Sequence, residues 1–254
     1  MRSGNPALNS SVFDTVEAMP ASSFEMDMAN ANTMTIGGTT LKTGALVALA
    51  VLTGGFTWSQ AYAGADVRGW MIGGLIAGLV LAFITIFKPV WSAFTAPAYA
   101  AAEGLFLGAV SAYYTQAFYP GIVTQAVMLT FGVLIAMLAA YGTGLVRATD
   151  KFRTGILAAT GGICLVYLAT FVLGFFGVGI PYIHGNGMIG IGFSLFVVVI
   201  AALNLVLDFD FIERGVESHA PKYMEWYGAF GLMVTLVWLY LEILRLLAKI
   251  QSRD

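Results

Sequence analysis

The sequence predicts an all-α membrane protein that crosses the bilayer about seven times, and three observations carry that prediction. First, 59% of the 254 residues are apolar and only 10% are Asp, Glu, Lys or Arg, where a soluble domain carries charge on about a quarter of its residues. Without that charge the surface cannot be kept wet, so the chain needs a second solvent. Second, no Asp, Glu, Lys or Arg occurs from Gly104 to Val146 or from Thr154 to Leu207. Each block is long enough for two crossings of about 20 residues with a turn between them. Third, these runs are continuously apolar, whereas an outer-membrane barrel needs alternating strands of about ten residues. The net charge of −2 gives no basic excess for nucleic acid. The single cysteine, Cys164, excludes an internal disulfide and a thiolate metal site; within an apolar run it reads as a small packed core residue.

Taken in order, residues 1–40 are polar and hold Asp14, Glu17, Glu25 and Asp27, with no basic region followed by an apolar stretch as in a signal peptide. They read as a flexible tail before a transmembrane domain at 41–254. The spans are expected at Thr43–Ala63, Trp70–Phe87, Trp91–Thr115, Gly121–Val146, Gly155–Phe176, Met188–Leu207 and Met224–Ile250. Lys88-Pro89 stops the second, Tyr119-Pro120-Gly121 marks the turn before the fourth, and Pro181 with its flanking glycines marks the loop after the fifth. Small residues four apart, Gly104 with Gly108 and Gly73 with Ala77, predict close backbone approach between helices. Lys and Arg gather at Arg2 and Lys42, Lys88, Arg147 to Arg153, and Arg214 with Lys222, all in segments on one side. The positive-inside rule then puts the N-terminus in the cytoplasm, in a multi-pass protein of the inner (plasma) membrane. Lys249 and Arg253 near the C-terminus dissent, because seven crossings put that end outside.

A charge within a membrane helix costs about 2.5–3.5 kcal/mol on insertion scales, so each one marks a partner or a function. Glu103 lies mid-span in Ala100-Ala101-Ala102-Glu103-Gly104, with no cation within a helical turn. Asp208 and Asp210 close the sixth span, where a helix C-terminus disfavours anions; Asp208 shares a face with Asn204, one turn before it. Asp210 shares its face with Glu213 and Glu217 and reads as a solvated helix end. Glu242 lies in the seventh span with Arg245 three residues on as a ready partner, and Thr235, Trp238 and Glu242 occupy one face. Asp208, Glu103, Glu242 and Asp210 are thus the ion or proton site candidates. His184 and His219 fall in loops without metal-ligand spacing, and no nucleophile elbow, phosphate loop or zinc-protease motif occurs. No enzyme and no cofactor is expected.

These features together resemble the Bax inhibitor-1 / YccA family of seven-helix membrane proteins. The residues that carry the resemblance are Glu103-Gly104 through Gly108, the sixth span ending in Asp208 followed by an aromatic and then Ile212, and the apolar seventh span Leu232 to Leu247 with its short Ser252-Arg253-Asp254 tail. It covers residues 40–254 and leaves the tail outside, although Asn5-Pro6 and Phe13 resemble long-tailed bacterial members. The resemblance implies six helices around a central seventh, and a pH-sensitive calcium leak sensed by a pair of aspartates. The first aspartate corresponds to Asp208, which makes it the candidate calcium contact, with calcium as the transported ion. An ungapped register puts Thr235 where the second should stand, while a shifted one brings in Glu242 at another depth. Lys88 corresponds only loosely to the family's basic partner. A second reading, shared with some bacterial relatives, is a membrane-embedded regulator of another membrane complex such as a protease. It expects the tail to carry the contacts and Glu103 and Asp208 to be dispensable. Apart from the lipid bilayer, other membrane proteins are then the expected partners.

Overall fold

The computed structural model describes residues 32–176, 185 and 187–252. The tail before residue 32, His184 and Arg253 lie outside the described residues. Among the described residues, seven helices are long and apolar enough to cross a membrane: α1 Ile36–Tyr62, α2 Arg68–Phe87, α3 Ser92–Ala117, α4 Ile122–Gly142, α5 Asp150–Phe175, α6 Met188–Glu217 and α7 Met224–Gln251. A 3-10 turn, Pro89–Trp91, joins α2 to α3.

Two boundaries differ from the hydropathy reading in ways that matter. Helix α1 begins at Ile36, two turns before the expected Thr43, because Thr35 caps it by accepting from the Gly38 N–H. Lys42 therefore lies inside a helix and not in a tail. Helix α6 runs on to Glu217. Hydropathy ends where the charges begin, but the helix does not, since its last turns carry polar groups that suit water. Asp208 is consequently well inside α6, and the penalty expected for an anion at a helix C-terminus does not apply to it.

Helix α7 forms the axis. Its apolar window is 61% buried, against 11–44% for the other spans. It packs against α1, α3, α4 and α6, while α2 lies mainly on α3 and α5 mainly on α6. Leu232, Leu236, Leu239, Ile243 and Leu244 of α7 build the core with Ile122, Leu205, Phe209 and Ile212. A second cluster joins Leu46 and Tyr99 to Phe230 and Met233. Between α1 and α3 the backbones touch: a Cβ on Gly108 would run into the Gly54 carbonyl and Cα, and one on Gly104 into Ala50 and Thr53. On α2 the packed pair is Gly74 and Gly78, not the expected Gly73 and Ala77; Gly74 meets Ala102 and Phe106, whereas nothing lies within 4 Å of a Cβ on Gly73. Cys164 is exposed on α5 rather than packed in the core, because α5 has one covered face only.

Buried hydroxyls close the remaining polar seams. Thr85 donates to Thr95 at 2.7 Å across α2 and α3. Ser92 donates to the Tyr223 carbonyl at 3.0 Å, and Ser111 bonds the Tyr240 hydroxyl at 2.6 Å between α3 and α7.

Candidate functional site

The buried polar residues of α7 trace a line through the bundle. Glu225, Thr235, Glu242 and Lys249 are all buried, and the last three recur at seven-residue spacing, which keeps them near one face of a helix.

Asp208 reaches this line from α6. Its carboxyl is hydrogen-bonded to the Thr235 side chain, and Oδ1 lies 3.8 Å from where a Cβ on Gly231 would stand. The second oxygen, Oδ2, is buried without a hydrogen-bond partner. Thr235 of α7 therefore faces Asp208. Asn204 does not join them, since its amide donates to Thr160 of α5 at 2.9 Å and to its own Ile200 carbonyl at 2.8 Å.

Glu103 occupies another interface. It is 7% exposed, is hydrogen-bonded by Tyr99, and fills the notch left by Gly78 of α2, where Oε1 is 2.7 Å from the site of a Cβ. Tyr99 in turn meets Phe230 of α7 edge-on, with ring centroids 5.0 Å apart. Glu103 is thus turned toward α2, and Asp208 toward α7. Glu242 faces inward as the sequence allows. Its Oε1 accepts from the Tyr167 hydroxyl at 2.8 Å and from Arg245 at 2.9 Å. Asp210 is paired with Arg153 of α5, and with Arg214 one turn on at 3.3 Å. It ties the ends of α5 and α6 together. Lys88 is exposed at the C-cap of α2.

Two buried charges escape a reading based on span interiors. Glu225, in the first turn of α7, has 0% exposure. It accepts from the Thr35 N–H at 2.9 Å and the Thr35 hydroxyl at 2.8 Å, and pairs with Lys42 and Lys222. Backbone bonds from Met34 to Ala220 and from Lys222 to Asn32 fasten the same segment to the α6–α7 connection. The signal was Lys42 immediately before an apolar run, a cation that requires an anion once α1 is extended. Lys249 is 6% exposed and donates to the Gly190 carbonyl at 3.0 Å and Ser194 at 2.8 Å. Its charge is used inside the bundle, so it does not count as a loop residue in the positive-inside tally.

Among the described residues, no group of three or more His, Cys, Asp or Glu side chains is placed to hold a metal ion.

A family model described as Bax inhibitor 1 like matches residues 5–252. The match takes in the tail, which the resemblance read from the sequence placed outside. No curated protein matches the chain, and no solved structure does.

Proposed function

The chain belongs to the Bax inhibitor 1-like family, and on that premise we propose that it is a pH-sensitive cation leak with calcium as the transported ion and Asp208 as the sensor. The observation that carries this reading is the unpartnered Oδ2 of Asp208, buried against the central helix. A buried acceptor left without a donor costs about 1–3 kcal/mol, a cost that a cation or proton arriving at the site relieves. Deprotonated, Asp208 is an anion held by one hydroxyl; protonated, it is neutral and becomes a donor. Either change alters the contact between α6 and α7 at Gly231 and Thr235.

Calcium prefers six to eight oxygen ligands. Asp208 and Thr235 provide only a few, which suits passage rather than storage, because conduction needs a site weak enough to release its ion. Glu103 serves as a packing carboxyl of the α2–α3 interface in this reading, since its surroundings are Tyr99 and the Gly78 notch.

The test is calcium flux through the purified full chain in liposomes carrying an internal indicator. Asp208→Asn is expected to change the rate and remove its pH response, and Glu103→Gln to leave both near wild type. Wild-type flux and pH response in the Asp208 variant, or a loss confined to the Glu103 variant, sinks the proposal.

A further inference from the structure

Helices α1 and α4 both pack on α7 but scarcely on each other, so a groove opens between them with α7 as its floor. Its first half is a cavity of about 440 Å³, walled by Ile36 and Gly44 of α1, Leu134 and Leu138 of α4, and Phe209 of α6. At Val47, Phe131 and Leu236 it meets a second cavity of about 300 Å³ that runs on toward Trp58. No charged residue lines that second half, and its Ser111 and Tyr240 hydroxyls are bonded to each other at 2.6 Å. From Ile36 to Val47 the wall is about 16 Å long at 1.5 Å per residue, close to half of the roughly 30 Å hydrocarbon core. The first cavity is therefore one leaflet deep.

Its outer end is polar. Tyr141 and Glu213 border both this cavity and a third, of about 520 Å³, which Arg147, Thr149 and Asp210 also line. The Tyr141 hydroxyl donates to Glu213, and Asp210 is already satisfied by Arg153 and Arg214. That leaves the charges of Glu213 and Arg147 on one cavity. Among the described residues neither enters an ion pair, with the other or with any third group. Opposite charges held apart across a polar cavity, at the mouth of an apolar groove one leaflet deep, are complementary to a zwitterionic amphiphile.

We propose that this groove is a phospholipid site that selects a phosphoethanolamine headgroup from the leaflet at the start of α1. One acyl chain lies in the groove against Leu232 and Leu236 of α7. The phosphate meets the Arg147 guanidinium, whose fork of N–H donors matches phosphate oxygens. The primary ammonium donates to the Glu213 carboxylate, which Tyr141 aims. Exposed ion pairs are individually weak, so the chain supplies the hold and the headgroup the choice. The site does not depend on the leak reading.

The experiment places the full chain in vesicles of equal parts phosphatidylethanolamine and phosphatidylglycerol. One or the other lipid carries a photoreactive group in its acyl chain, and labelled peptides are read by mass spectrometry. The outward face of α2, with Leu75, Leu79 and Phe83 exposed, reports contact with bulk lipid. The ratio of ethanolamine to glycerol lipid on the α4 segment from Phe131 to Tyr141 is expected to exceed the α2 ratio several-fold. Glu213→Gln should bring it down to the α2 value, and Arg147→Gln should reduce labelling by both lipids. Gly44→Trp, whose side chain starts in open space and fills the groove, should also reduce both. Equal ratios on α4 and α2 in wild type, or a preference that survives Glu213→Gln, overturns the proposal. So does a groove labelled by neither lipid in a chain that cross-links to a second copy.

Discussion

At the scale of single residues, the bundle contrasts carboxylates that are fully partnered with carboxylates that are not. Glu225 is buried and held by two lysines and Thr35. Glu225→Gln removes the charge from that node and is expected to cost about 1.5–3 kcal/mol, the range for hydrogen bonds to charged groups; thermal unfolding in detergent should fall accordingly, and an unchanged transition would show that the node contributes nothing. Asp208 is the opposite case, with one hydroxyl for company. Thr235→Asp would place a second carboxyl in contact with it, and two carboxyls in contact share a proton. The pH profile of calcium flux in that variant is expected to depart from wild type, and an identical profile would contradict the contact. Glu103, Asp208 and Glu242 could be picked out beforehand because a charge in an apolar run is conspicuous in any sequence. What each one touches could not. Asn204 shares a helical face with Asp208 yet bonds to Thr160, since a face about 100° wide reaches two neighbouring helices and spacing along the chain does not say which.

At the scale of elements, close approach and boundaries decide the packing. Gly108→Val is expected to push α1 and α3 apart, because its side chain would meet the Gly54 backbone, and to lower the unfolding temperature by several degrees. Gly73→Ala faces open space and should be neutral or slightly stabilising, as alanine is favoured over glycine by about 1 kcal/mol in a helix. Equal effects of the two substitutions would mean that the α1–α3 contact is not the tight one. The small-residue spacing at Gly104 and Gly108 revealed a true contact, whereas the same spacing at Gly73 and Ala77 selected the wrong face of α2 by one residue. Hydropathy located all seven spans but not their ends. Apolar content measures where lipid is, and helices α1 and α6 continue past it on caps and charges, which is why Lys42 was read as tail and Asp208 as a helix end.

At the scale of the whole molecule, the enclosed α7 is what turns scattered charges into a line. Seven crossings put the two termini on opposite sides, and the positive-inside rule predicts a cytoplasmic N-terminus. Accessibility tags at the two ends of the chain should therefore label from opposite faces, with the N-terminal tag protected in sealed cells; labelling of both from one face would contradict the topology. Composition alone was enough for the fold class, because no soluble arrangement tolerates so little charge. That α7 is central could come only from the family resemblance, since its hydropathy of 1.8 is lower than that of α2, α4, α5 or α6. Its share of polar residues reflects burial among other helices and not contact with lipid. The central claim is that Asp208, at the contact of α6 with this axis, gates a calcium leak by its charge. The most direct measurement is the calcium leak rate of wild type and Asp208→Asn in liposomes across the neutral pH range. The wild-type rate should change with pH while the variant stays flat, at the rate wild type shows when Asp208 is protonated. A variant that tracks wild type at every pH would contradict the claim.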